Sequence, residues 1–212
     1  MFEKNLDQPT IDWRECDCLQ EVPGNLRCSS VQSYLAESHE QEGIQTSVKQ
    51  YIEDVRKQNL RSLLFYGPPN TAKSHLSVAI YREIVPHLIR RDSGGWCLQD
   101  IYNKTQTMQN HFWIRGDQLK DALCPKLDCP GRYTSFHLQT ALFGVLDDID
   151  KYPSGNWASA LYGLIEDRTA GRLPTVISMN LSPTKFVKKY REYGAPILSR
   201  LMRNGTLFVK TC

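Results

Sequence analysis

The stretch from Arg61 to about Ile89 leaves few architectures open. Arg61-Ser62-Leu63-Leu64-Phe65-Tyr66 reads as a buried strand and is cut by Gly67-Pro68-Pro69. From Ser74 onward Leu76, Ala79, Ile80 and Ile84 recur at helical spacing, until Pro86, which is expected to kink or end the helix. The same alternation continues down the chain. His111-Phe112-Trp113-Ile114 is strand-like, and Asp117 is placed to cap a short helix through Leu123. Leu142 to Leu146 is a third apolar strand, running into acids. Asn156 to Ala170 is a helix with Trp157, Leu161 and Leu164 inward, closed by Gly171. Pro174 to Met179 is a fourth strand. Ser182-Pro183 opens a helix with Phe186, Val187 and Tyr190 inside and Gly194 past its end, and Gly205 to Lys210 is a last strand. Ahead of all of these, Thr46 to Asn59 aligns Val48, Tyr51, Ile52 and Val55 on one helical face. Strands alternating with helices imply an α/β fold with a mostly parallel sheet covered on both faces. Arg90–Asn110 and Cys124–Thr134 lack a period and read as surface loops.

Over 212 residues, 41% apolar and 23% charged side chains supply one core and a hydrated surface, which excludes a disordered or low-complexity chain. No apolar run approaches the roughly 18 residues of a membrane helix. The opening Met1 to Asp7 lacks the basic and apolar regions of a secretory signal, so a cytoplasmic protein without membrane contact is expected. Seven scattered cysteines suit a reducing compartment, and Cys16, Cys18 and Cys28 are too unevenly spaced to form a Cys₄ zinc pattern. Charge is segregated. Residues 1–45 carry nine acidic side chains against three basic ones, while residues 185–212 carry seven basic ones against Glu192 alone. A polyanion therefore suits the tail, with the Lys185–Arg191 run as its contact, and not the head. Residues 1–45 read as an acidic extension suited to a protein partner, and 46–212 as the folded domain.

Chemistry concentrates in two places. Gly67-Pro68-Pro69-Asn70-Thr71-Ala72-Lys73-Ser74, with His75 included in the binding stretch, joins a strand to a helix as a phosphate-binding loop does. Lys73 is the point charge for terminal phosphates, and the Ser74 hydroxyl is a ligand for Mg²⁺. Ala72 stands where the pattern has glycine, and a methyl costs little there provided φ is not positive. Phe143-Gly144-Val145-Leu146-Asp147-Asp148 then delivers two carboxylates at the end of an apolar strand, where such sheets keep their ligands. Asp147 is the candidate to hold Mg²⁺ and Asp148 to orient the attacking water. Asp148 is one methylene shorter than the usual glutamate, so slow turnover is expected. Asn180, at the end of the fourth strand, is a neutral amide able to hold that water. Arg200 is the candidate arginine finger toward a neighbour's nucleotide, with Arg203 as a rival.

The order of phosphate loop, Leu-Asp-Asp, Met179-Asn180-Leu181-Ser182-Pro183 and Tyr193 to Leu201, together with Ile165-Glu166-Asp167-Arg168, Arg172 and Pro174, resembles the DnaC/IstB-type AAA+ ATPases over about residues 46–210. The family comprises helicase loaders and transposition ATPases. The resemblance implies a P-loop AAA+ fold with a five-stranded parallel sheet in the order 5-1-4-3-2. It also implies ATP and Mg²⁺ as cofactors, homo-oligomers with ATP sites at subunit interfaces, and single-stranded DNA lining an open spiral. The partner is then a hexameric replicative helicase that the chain loads or remodels. Alternatives are an IstB-like ATPase acting on duplex DNA with a transposase, or a weakly hydrolysing, nucleotide-gated scaffold. Departures from the family are Ala72, Asp148, the Arg90–Asn110 insertion and an end at Cys212 without a C-terminal lid domain, as in the loader branch. Gly-Pro-x-Asn-Thr and Leu-Asp-Asp are also similar to viral superfamily 3 helicases, which carry a longer segment between the acids and the asparagine.

Overall fold

The computed structural model describes residues 22–92, 111–123, 134–152 and 155–211, with 86–92 as backbone. Five strands are present among them: β1 (Leu63–Tyr66), β2 (His111–Arg115), β3 (Phe143–Asp147), β4 (Thr175–Met179) and β5 (Leu207–Lys210). All pairings are parallel and the sheet runs β2-β3-β4-β1-β5, the order that the resemblance implies. Six α-helices are described: α1 (His39–Arg56), α2 (Lys73–Asp92), α3 (Gly116–Leu123), α4 (Ser135–Thr140), α5 (Asn156–Ala170) and α6 (Pro183–Arg203). None is long and apolar enough to cross a membrane.

The strands are predominantly apolar because both faces are covered. Leu63, Phe65, Trp113, Val145 and Val176 pack with α1 and α2 on one side. Leu64, Phe112, Ile114, Leu146, Ile177 and Met179 pack with α3, α5 and α6 on the other. Gly144 is dictated by this packing, since a Cβ there would lie 2.2 Å from the Phe112 ring. Of residues 1–45, the described part 22–45 contributes Val22, Val31, Tyr34 and Ile44 to the first core.

Several local expectations give way to the observed chain. Helix α1 starts seven residues before Thr46, capped by the Ser38 hydroxyl accepting from the Gln41 N–H, with Glu40 and Glu42 in its first turn. Pro86 does not end α2, which runs on to Asp92 and forgoes one backbone bond there. Asp117 is not an N-cap. It lies within the first turn of α3, and its carboxylate is ion-paired with Arg115, which holds it below the ordinary carboxylate range. Gly171 closes α5 at φ −74°, and the left-handed residue is Arg172 at φ 52°. Helix α6 is two helical segments broken at Arg191 (φ 47°, ψ −114°), with Gly194 packed against Val187 so closely that a Cβ would come within 2.7 Å of its Cα.

His111 opens β2 at 7% exposure, with Nδ1 2.6 Å from the Tyr81 hydroxyl. Burial pushes its imidazole from 6.5 down to about 4. Between those values the unfolded chain binds a proton that the folded state refuses, so stability is full above pH 6.5 and drains as pH falls toward 4. The difference amounts to about 3 kcal/mol. His111→Gln keeps an acceptor for Tyr81 and cannot titrate. Urea unfolding of that variant should lose most of this slope between pH 6.5 and 4, and an unchanged slope refutes the assignment.

Candidate functional site

The loop after β1 is shaped by its neighbours. A Cβ on Gly67 would lie 2.1 Å from the Thr211 carbonyl oxygen, so only glycine passes that point. The Gly67 N–H donates to Met179 O at 3.3 Å, and the Thr71 hydroxyl donates to Pro68 O at 2.8 Å. Asn70 and Ala72 both stand at positive φ, 64° and 59°. Asparagine tolerates that conformation. Alanine does not, and the condition under which the Ala72 methyl would cost little is not met: the left-handed region costs a Cβ-bearing residue about 1–2 kcal/mol. The methyl is partly repaid by packing against the core. Ala72→Gly should therefore stabilise the fold by about 0.5–1 kcal/mol in urea titration, and a loss of stability would mean that packing outweighs strain.

The chain passes directly from Ala72 into α2, so the first N–H groups of the helix face the loop with no intrahelical partners. Lys73 is 4% exposed, and its ammonium donates to Gly67 O at 2.9 Å and Pro68 O at 2.5 Å. Burial pulls it below its ordinary basicity, while Asp148, Asp150 and Asp147 push the other way. The Ser74 hydroxyl donates to Asp147 Oδ1 at 3.0 Å. Asp147 is buried, and desolvation raises its carboxyl against the opposing Ser178 and Ser74 hydroxyl bonds. A hydroxyl and a carboxylate so placed form a hard oxygen donor set that fits Mg²⁺, which keeps waters and takes few protein ligands. Among the described residues no cluster of three or more His, Cys, Asp or Glu side chains makes a metal site unaided. Cys16 and Cys18 lie outside the described residues, and Cys28 is a free, exposed thiol.

Asp148 leaves β3 in a left-handed turn at φ 58°. One carboxylate oxygen accepts from Asn180 Nδ2 at 3.1 Å, and the other is ion-paired with Lys151 at 2.7 Å. Asp148 and Asn180 thus meet across two strands, as their positions at the ends of β3 and β4 require. They line one cleft of about 520 Å³ with Pro69, the Asn70–His75 stretch, Lys151 and Leu26. A second cleft of about 310 Å³ adjoins it, between Tyr34 and Leu35 on one side and Asn70 to Ala72 on the other. The His75 ring is engaged by the segment before α1, bonding Ser29 Oγ at 3.1 Å and Ser33 Oγ at 3.2 Å. Arg200 lies outside the cleft, on the second segment of α6, ion-paired with Glu166 at 2.6 Å and 37% exposed. Lys189, one of the basic run on α6, reaches inward to Asp150 O.

Three participants escape a reading of the sequence. Ser178 donates to Asp147 Oδ1 and accepts the Asp148 N–H at 2.9 Å. Its signal was a hydroxyl set among the apolar residues of a fully buried strand, a feature it shares with Thr175. Lys151 and Asp150 follow the acids too closely to be separated from them by pattern alone.

A five-stranded parallel sheet in this order, with the glycine-started loop between β1 and α2 and paired acids ending β3, is the P-loop AAA+ fold. No protein-family model and no curated protein matches the chain. Solved structures do. DnaI is 13% identical with a TM-score of 0.65, over 90% of this chain and 94% of DnaI. The DnaC helicase loader is 16% identical with a TM-score of 0.58, over 90% of this chain and 100% of DnaC. The replication initiator DnaA bound to AMPPCP and single-stranded DNA is 13% identical with a TM-score of 0.55, and the chain spans about half of it (49%). The likeness at these identities is one of fold, and it is the fold of helicase loaders and replication initiators.

Proposed function

We infer that the chain is an ATP-dependent AAA+ ATPase of the DnaC kind, which self-assembles, binds single-stranded DNA and loads or remodels a hexameric replicative helicase. The observation that carries this reading is the meeting of Asp148 with Asn180 over the same cleft that holds Lys73 and Ser74. Gly67 to Ala72 and the N-terminus of α2 supply backbone N–H groups for phosphate oxygens, and Lys73 adds a charge that is now spent on two loop carbonyls. Ser74 and Asp147 would hold Mg²⁺, which screens the phosphate charge during transfer. Asp148 is the acceptor that orients water, and Asn180 fixes that carboxylate without competing for a proton. Arg200, exposed on α6, is the residue offered to a neighbour's nucleotide. The fold shared with DnaC and with DnaA bound to single-stranded DNA supports the partners.

The Lys151–Asp148 ion pair favours one other reading, a nucleotide-gated scaffold that hydrolyses slowly if at all, because both oxygens of Asp148 are engaged. Steady-state ATPase assays with single-stranded DNA, duplex DNA or neither separate the outcomes. Stimulation by single strands is expected. Stimulation by duplex alone points to an IstB-like transposition role, and turnover equal to a blank leaves the scaffold.

A further inference from the structure

Asp150 is the third acid of Asp147-Asp148-Ile149-Asp150 and has no part in the roles above. It is 5% exposed and does not line the cleft. Its Oδ2 accepts two consecutive backbone N–H groups, from Asn180 at 2.9 Å and Leu181 at 2.7 Å. One carboxylate oxygen gripping two successive amides fixes the direction in which the chain leaves β4. The Asn180 side chain, which grows from that fixed backbone, then meets Asp148 Oδ1 at 3.1 Å.

The loop carrying Asp150 is itself held on two sides. The Ile149 N–H donates to Ser178 O at 3.1 Å, and the Tyr190 hydroxyl donates to Tyr152 O at 2.8 Å. Lys189 Nζ donates to Asp150 O. The backbone of Asp150 is thus tied to β4 and α6, and its carboxylate transmits that anchorage to Asn180. From this arrangement we propose that Asp150 is a positioning residue for nucleotide hydrolysis, setting the Asn180–Asp148 pair against the phosphates without touching them. The assignment rests on the hydrolytic reading given above.

Asp150→Ala removes the acceptor, and Asp150→Asn keeps one. Oδ1 has no hydrogen-bond partner among the described residues, so an amide nitrogen there displaces no existing bond. Asp150→Ala should lower kcat roughly 10- to 100-fold, the scale of an ångström-sized misplacement. ATP affinity should stay within about twofold of the parent, since the phosphate loop is untouched. Asp150→Asn should recover most of kcat. A kcat for Asp150→Ala within about twofold of the parent overturns the proposal, as does kcat and affinity falling together, or an Asn variant no better than Ala. Should the parent itself fail to turn over ATP, hydrolysis is what fails. The positioning is then read from amide hydrogen exchange at Asn180 and Leu181, which Asp150→Ala should accelerate at least about tenfold, and unchanged exchange overturns it.

Discussion

Lys73→Ala is expected to weaken ATP binding by at least roughly 30-fold, measured by calorimetry with Mg²⁺ present. Lys73 is nearly buried, and the other polar groups of the loop, its amides and the Thr71 hydroxyl, carry no charge. Truncating one partner of a buried, hydrogen-bonded charge pair costs about 2–5 kcal/mol, and about 1.4 kcal/mol is tenfold in Kd. The lower end of that range already gives the 30-fold loss. Lys73 also ties Gly67 O and Pro68 O together, so the variant should melt slightly earlier. Binding and melting are separable, however, because the loop keeps its bonds from Gly67 N–H to Met179 and from Thr71 to Pro68. Affinity retained within a few-fold of the parent would refute the phosphate-loop assignment and the ATPase reading with it.

The sheet was legible because parallel strands covered on both faces are written as short apolar runs, and the two that carry the site end in turn signals. Leu63 to Tyr66 stops at Gly67, and Phe143 to Leu146 stops at its acids. The start of α1 was not legible, since His39 to Gln45 offers only Ile44 to the core and Gly43 interrupts it. Nor was α4, six residues with Leu138 alone buried, too short for a period to register. At the site, Asp148 and Asn180 could be paired from sequence because both end strands that the fold makes neighbours. Ser178 and Asp150 act through contacts between segments 30 residues apart, and spacing along the chain carries no trace of them. Lys151 pairs with Asp148 three positions back, where a lysine is indistinguishable from a solvated one. The strain at Ala72 was invisible for a related reason. The sequence names the residue but not the φ that the loop imposes.

Arg168 sits in a motif that resembles a family signature, and its surroundings make it a structural clamp at the end of the sheet opposite the cleft of Lys73 and Asp148. It is 1% exposed and is ion-paired with no carboxylate among the described residues. Its guanidinium donates instead to Thr175 Oγ1 at 2.7 Å, Leu138 O at 2.7 Å, Ala141 O at 3.0 Å and Pro174 O at 3.3 Å, and lies 5.0 Å from the centre of the Phe112 ring. Burial pulls it down to about 9, so it remains charged at neutral pH. These acceptors belong to the segments entering β3 and β4, so one side chain sets where both strands begin. Arg168→Met fills much of the volume but leaves Thr175 Oγ1 and the Leu138 and Ala141 carbonyls without this donor, while Pro174 O keeps the Gly144 N–H. At about 1–3 kcal/mol for each buried acceptor left unpaired, the loss is about 3–5 kcal/mol. Set against a total stability of about 5–15 kcal/mol, that is enough to unfold a marginal domain. Arg168→Lys should recover little, because three donors on one nitrogen cannot span a planar fork. Urea unfolding should show both losses, whereas a penalty below about 1 kcal/mol for Met would place the acceptors within reach of water and end the clamp.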